Sequence, residues 1–160
     1  MRLTILALLL FSFGVNADLL NGRVVKVTDG DTITVLDNSN IQHKIRLSGI
    51  DAPEMNQAYG ERSRLALAYA VAGGHVLIDW NKRDRWNRIV GKVLVNNKDI
   101  NLQQVQEGMA WHYKKYEREQ DAADRALYAH AEDEAQRNKI GLWRNHIAVP
   151  PWEFRKLAKR

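Results

Sequence analysis

The chain has no cysteine, so disulfides, thiolate metal sites and a cysteine nucleophile are all excluded. It is poor in metal-ligand patterns of any soft kind. The five histidines, at 43, 75, 112, 130 and 146, fall at no short ligand spacing and read as ordinary residues. No low-complexity tract interrupts the 160 residues, and a hydrophobic content of 45% is enough for one compact domain that folds without staples. Acidic residues are outnumbered, 19 against 24 Lys and Arg, for a formal charge of +5 that favours polyanionic partners.

A long apolar run is also missing. The longest, Leu3 to Phe13, is shorter than the ~20 residues a membrane-spanning helix needs. With Arg2 before it and Val15-Asn16-Ala17 after it as a cleavage-like site, residues 1–17 read as a signal peptide, with a membrane anchor as the alternative. Cleavage removes one basic residue and leaves residues 18–160 as a single domain of formal charge +4. The mature protein is then expected to be exported, periplasmic or secreted, monomeric and without stable membrane insertion.

What is present begins with strand patterns. Residues 22–28 and 31–37 form a pair joined through Thr28-Asp29-Gly30-Asp31-Thr32. On its own, Asp-Gly is a common hairpin closure; two carboxylates flanking a glycine can equally deliver oxygens to one spot. Residues 41–48 alternate with period two, which directs Ile41, Ile45 and Leu47 to a core and Lys44 and Arg46 to the other face. Further strands are expected over 75–80 and 88–95, separated by the charged Asn81-Lys82-Arg83-Asp84-Arg85-Trp86-Asn87.

Three helices are expected. The first begins near Gly60 with Leu65, Ala68, Tyr69 and Ala72 along its stripe and stops at Gly73-Gly74. A short second helix follows Asn101, which with Gln104 resembles a capping box, and ends at Gly108. The third runs from about Glu119 to Lys139 with Ala123, Leu127, Ala131 and Ala135 inward, its charges a solvated face, and Gly141 closing it. The Pro150 to Arg155 tail reads as extended, with its aromatics packed back on the body. Strands one to three follow each other too closely for crossover helices, so they are antiparallel neighbours. The fold class is mainly β with α, a five-stranded OB-type barrel with three helices; an open α+β sandwich is the alternative.

The groups that carry chemistry are Asp29, Asp31, Asp51 and Glu54, in two turn-like loops, and Arg46 on the strand between those loops. Oxygen-only ligands suit a hard cation, Ca²⁺ or Mg²⁺. Arginine opposite a cation suits a phosphate, because the guanidinium fork matches two phosphate oxygens. The bland alternative makes Asp51-Ala52-Pro53-Glu54 a loop entering a helix, with Glu54 near the helix start for dipole reasons.

In order and spacing, Val27-Thr28-Asp29-Gly30-Asp31-Thr32, Ile45-Arg46-Leu47, Gly49-Ile50-Asp51-Ala52-Pro53-Glu54, Tyr59-Gly60, Asp84-Arg85-Trp86-Asn87-Arg88 and Gly108-Met109-Ala110 resemble the thermonuclease, or staphylococcal nuclease-like, family over Gly22 to Trp143. The resemblance implies an OB barrel with three helices. It also implies a Ca²⁺-dependent nuclease that hydrolyses phosphodiester bonds of DNA or RNA, endonucleolytically and with 3′-phosphate ends. Carried over by position, calcium falls to Asp31, Asp51 and the backbone carbonyl of Ala52, with Asp29 close by as an indirect participant. Glu54 takes the place of the glutamate that positions or deprotonates the attacking water, and Arg46 and Arg88 bind the scissile phosphate.

Tyr113 and Tyr116, in Trp111-His112-Tyr113-Lys114-Lys115-Tyr116, fall near the family's nucleotide-binding tyrosines, and Arg85, Lys82 and Arg83 could add phosphate contacts. Trp111 has a structural reading of equal standing. Two departures stand out: the loop Met55 to Ala58 is shorter and less basic than in the best-known secreted member, and Ala52 replaces a threonine, which spares a carbonyl ligand. Other classes consistent with the chain are a non-catalytic OB module that binds single-stranded nucleic acid and an envelope structural protein.

Overall fold

A computed structural model describes residues 18–158. The signal-peptide reading of residues 1–17 therefore lies outside the described residues. Strand β1 (Asp18–Asp29) is twelve residues long, because its first half pairs with the later strand over His75–Arg83 and its second half with β2 (Thr32–Asp37). Register shifts at Val24/Lys26 and Val27/Asp29 bend it between the two partners. Strand β3 (Gln42–Leu47) runs antiparallel to β2, and the two-residue β4 (Ile50–Asp51) follows at once.

After helix α1 (Gly60–Ala70), strands β5 (His75–Arg83) and β6 (Ile89–Val95) form a hairpin. The parallel pairing of β6 with β3, Ile45 with Ile89 and Leu47 with Gly91, closes β1, β2, β3, β5 and β6 into a five-stranded barrel with no free edge. The expected OB-type barrel is thus the observed one.

The remaining elements pack around the barrel through α1 on β1 and the helix over Ile100–Gln106 on β6. A short strand β7 (Lys98–Asp99) leads into α2 (Ile100–Gln106), and β8 (Trp111–His112) pairs with β4. A 3₁₀ segment (Lys114–Glu119), α3 (Ala122–Arg137), a second 3₁₀ turn (Gly141–Arg144) and α4 (Pro151–Leu157) complete the order. The barrel interior is filled by Ile33, Val35, Ile45, Leu47, Ile78, Ile89 and Val93, all at most 1% exposed. Leu67 of α1, Ile100 and Val105 of α2 and Tyr128 of α3 extend that core outward.

Several local expectations need correction. Ile41 precedes β3 and is 56% exposed, so only Ile45 and Leu47 of that set are inward. Helix α1 buries Gly60, Ser63 and Leu67, whereas Leu65 and Tyr69 face solvent. The contact is decided by small residues rather than by the apolar stripe: Ser63 lies against Gly30 of the turn, and Gly60 against the backbone of Glu54 and Met55. Asp99, not Asn101, caps α2, its carboxylate accepting from Leu102 N at 2.9 Å.

Helix α3 starts after Asp121, whose side chain accepts from Asp124 N at 2.8 Å. It buries Tyr128, Ala131, Glu132 and Ala135 and leaves Ala123 and Leu127 outside. Its charge run is therefore not all solvated, since Glu132 accepts from His112 N at 3.0 Å. The tail is a fourth helix, not an extended segment. Pro150 is extended, but Pro151 occupies N1, where a fixed φ and a missing N–H suit a helix start.

Candidate active site

Arg46 follows from the alternation of β3: with Ile45 and Leu47 inside, its side chain emerges on the outer face, next to the strand's end. There it meets two carboxylates from two different loops. Its Nη2 donates to Asp51 Oδ1 at 3.0 Å and lies 3.2 Å from Asp31 Oδ2, while Nη1 donates to Leu47 O at 2.6 Å. Both acids are buried, at 6% exposed for Asp31 and 2% for Asp51.

The turn between β1 and β2 is shaped to present Asp31. Asp29 Oδ1 accepts from Asp31 N at 3.0 Å, an Asx turn that orients the next peptide. Asp31 Oδ1 then accepts from Thr32 Oγ1 at 3.0 Å, and Oδ2 from Ala52 N at 2.8 Å. That last bond joins the two loops directly. Gly30 is required by space: a Cβ there would stand 1.8 Å from Ser63 Oγ and 2.8 Å from Ala52 Cβ. Its carbonyl is held from below by Gln104 Nε2 at 2.8 Å.

Asp51 owes its position to the two-residue ladder β4–β8, in which it is paired with Trp111. Burial pushes its carboxyl up, against the pull of Arg155 and Arg46. Asp29 is pushed further, to about 6, first by burial and then by the charge of Asp31. Glu54 sits six residues before α1, outside the first helical turn, where Glu61 is the acid; the dipole explanation of Glu54 does not apply. Among the described residues no three His, Asp or Glu side chains form a ready-made cage. The convergence is of two carboxylates, Asp31 and Asp51, on one guanidinium.

Arg88 stands one residue before β6, on the same outward face as Val90, the register partner of Arg46. Standard strand spacings put its Cα roughly 8 Å from that of Arg46. Asp84 steers it, with Oδ2 accepting from Arg88 Nε at 2.7 Å and Oδ1 from the N–H groups of Arg88 and Trp86. Those bonds outweigh burial and hold the Asp84 carboxyl below its usual range. Arg88 and Arg85 lie 5.0 and 4.0 Å from the ring centre of Trp86, which is 62% exposed.

The aromatic stretch forms the flank. Tyr113 and Tyr116 meet edge to face at 5.0 Å, and Lys82 and Lys115 lie 5.8 and 5.6 Å from the Tyr116 ring centre. Tyr116 is open to solvent, but one face of Tyr113 is covered by Trp152, stacked at 5.4 Å and 10°. Burial, then the charge of Asp51, raises the Tyr113 hydroxyl. Lys82 is paired with Glu119. Trp111 is buried, edge-on to Trp143 and Trp152, which is the structural reading of that residue.

One residue in the site was absent from the sequence reading. Arg155, on α4, donates from Nη2 to Asp51 Oδ2 at 2.7 Å and from Nη1 to Glu54 Oε1 at 2.6 Å, with Asp51 Oδ1 at 3.3 Å. The signal that could have found it is Pro151 as a helix start, which places Trp152 and Arg155 three apart on one helical face.

Comparison with known proteins shows the family. A family model described as staphylococcal nuclease homologue matches residues 44–145. The chain is 40% identical over 151 residues to an uncharacterized endonuclease of Escherichia coli, covering 94% of each chain. It is 38% identical over 137 residues to an uncharacterized endonuclease of Haemophilus influenzae, covering 86% of this chain and 74% of the relative. A micrococcal nuclease of Shigella flexneri is 39% identical over 147 residues, covering 86% and 82%. With barrel and relatives in accord, the chain belongs to the family of staphylococcal nuclease homologues.

Proposed function

We propose that this nuclease hydrolyses phosphodiester bonds within DNA or RNA strands, uses Ca²⁺ and leaves 3′-phosphate ends. The observation that carries the reading is the convergence of buried Asp31 and Asp51 on Arg46, with Glu54 on the adjoining loop. Asp31 and Asp51 each keep a carboxylate oxygen with spare lone-pair capacity, Oδ1 of Asp31 and Oδ2 of Asp51. An all-oxygen donor set of this kind, completed by the Ala52 carbonyl, fits a hard cation. When bound, calcium would supply charge stabilisation and orientation.

The protein's own groups would do the rest. Arg46 and Arg88, on one outer face of the barrel, are suited to bind the non-bridging oxygens of the scissile phosphate and the charge that develops on them. Glu54 orients the attacking water and accepts its proton, while the new P–O bond forms and the bond from phosphorus to the 5′ oxygen breaks. That 5′ oxygen leaves with a proton, and the phosphate stays on the 3′ side. Tyr116 with Lys82 and Arg85 offers a stacking and backbone-neutralising flank. The pattern of residues 1–17 supports an exported, periplasmic or secreted protein, and no described helix is long and apolar enough to cross a membrane.

The test is cleavage of single-stranded DNA and RNA with calcium, with magnesium and with chelator. Cleavage in calcium, lost in chelator, is expected. Binding without cleavage in calcium would favour a non-catalytic module, and wild-type cleavage by Glu54→Gln would overturn the site.

A further inference from the structure

We infer that Arg155 is a positioning residue of this site, its guanidinium fork fixing Glu54 against Asp51 so that the C-terminal helix forms part of the catalytic constellation. The inference rests on the nuclease reading of Asp51 and Glu54. Asp51 is rigid already, since it is 2% exposed, laddered to Trp111 and bonded to Arg46. Glu54 is different. Its side chain is 37% exposed and sits on the irregular loop between β4 and α1, where its carboxylate is bonded to Arg155. A fork with both nitrogens on Asp51 and one of them also on Glu54 transfers the fixed position of Asp51 to Glu54.

The helix that delivers Arg155 is anchored independently of that bond. Trp152, three residues earlier, lies flat on Tyr113 and edge-on to Trp111 at 6.4 Å. Trp111 is also the ladder partner of Asp51, so a closed circuit of contacts runs Asp51, Trp111, Trp152, Arg155 and back to Asp51. The chain just before α4 holds the Glu54 loop a second time: Gln57 Nε2 donates to Val149 O at 2.6 Å, and Gln57 Oε1 accepts from Glu54 N at 3.1 Å. Residues 149–155 lie beyond the span matched by the family model, which ends at 145.

The variants are Arg155→Ala and Arg155→Lys in the full-length protein, with single-stranded DNA as substrate. Lysine keeps the charge and most of the stem, so it guards against misfolding, but its single nitrogen cannot copy the planar two-nitrogen fork that reaches Glu54 Oε1 and Asp51 Oδ2 together. Both should lower kcat at saturating calcium by about tenfold or more, with KM for DNA within about threefold, because a misdirected catalytic group loses rate rather than binding.

Calcium affinity measured by calorimetry should be undiminished, since removing a cation cannot weaken attraction for another. Ethylguanidinium, below denaturing concentration, should restore part of the rate to Arg155→Ala, which a purely structural loss would not allow. A kcat within twofold of wild type in both variants, a rise in activity, or a loss matched by weaker calcium binding without ethylguanidinium rescue would each overturn the inference. Glu54→Gln and Arg46→Ala run alongside: wild-type rates in those overturn the nuclease site itself, whereas wild-type rates in the Arg155 variants alone overturn only the positioning role.

Discussion

Arg46 Nη2 and Asp51 Oδ1 are 3.0 Å apart, and the same nitrogen is 3.2 Å from Asp31 Oδ2, so one guanidinium neutralises acids from two loops. The arrangement leaves the remaining donors of Arg46 little freedom of direction. Arg46→Lys retains the charge and should fold, yet it loses the fork that can face carboxylates and phosphate together. Activity should fall by about two to three orders of magnitude, in the range seen when one preorganised transition-state donor is removed. Single-turnover rates at saturating substrate are the measurement, and a loss confined to KM would contradict the assignment.

Gly30 has no left-handed φ, so its role is not conformational freedom but clearance. Gly30→Ala would push a methyl group to 1.8 Å from Ser63 Oγ and 2.7 Å from Ser63 Cβ. Overpacking of this kind costs about 1–3 kcal/mol, and more where backbone must move. Ser63→Gly removes the two closest clashing atoms and leaves only Ala52 Cβ at 2.8 Å, so the double variant should recover part of the stability, which neither change predicts alone. Urea midpoints of the four proteins measure that coupling.

How far the sequence foretold the site depends on the range of each interaction. Arg46 and the Asp29–Asp31 turn were legible because alternation and turn chemistry act over a few residues. Gly30 was legible as a turn residue, but the need for clearance there was not, since Ser63 comes from a helix later in the chain. The α1 stripe failed for the same reason: apolar periodicity pointed to Leu65 and Tyr69, whereas close approach to Gly30 and to the Glu54 backbone demanded the small Ser63 and Gly60 on the inner face. Arg155 and Asp51 are 104 residues apart, and no local pattern announces such a pair. Only the Pro-started helix hinted that a charged side chain would be carried to a fixed place.

Asn101 shows the same limit from the other side. Its spacing to Gln104 suggested a cap, yet its buried amide holds the barrel seam: Oδ1 accepts from Val93 N at 3.0 Å, and Nδ2 donates to Ser48 O at 3.0 Å and Gly91 O at 3.1 Å. Asn101→Ala strands a buried N–H and leaves two carbonyls short. The loss should be about 3 kcal/mol, at the upper range for buried groups left unpaired. Asn101→Asp should be at least as severe, because it sets a carboxylate oxygen against two carbonyls. Denaturant unfolding with an unchanged m-value would check both.

Asp29 makes a prediction about pH. Its carboxyl titrates at about 6 in the folded protein against 3.8 when unfolded, first because of burial and then because of Asp31. The folded state therefore holds the proton more tightly, and stability falls as pH rises from about 4 to about 6, then levels. A shift of this size corresponds to roughly 3 kcal/mol, and solvent screening at a partly exposed group reduces it to about 1–2. Asn keeps the oxygen that accepts from Asp31 N and carries no charge. Asp29→Asn should therefore be more stable than wild type by that amount at pH 7 in chelator, with the difference vanishing below pH 4. A constant difference across that range would point to packing instead.

The flank offers a test of the nucleic-acid surface that does not depend on catalysis. Lys82 is paired with Glu119 and sits 5.8 Å from the ring centre of exposed Tyr116. An incoming phosphate has to compete with the Glu119 carboxylate for that ammonium. Glu119→Gln should thus tighten binding of a single-stranded oligonucleotide in chelator and steepen its salt dependence, by up to about 0.7 in the log–log slope if one more phosphate is neutralised. Lys82→Ala should act in the opposite direction and weaken binding across sequences alike. Fluorescence anisotropy over a salt series separates the two, and the double variant should resemble Lys82→Ala, because Glu119 acts only through the lysine it holds.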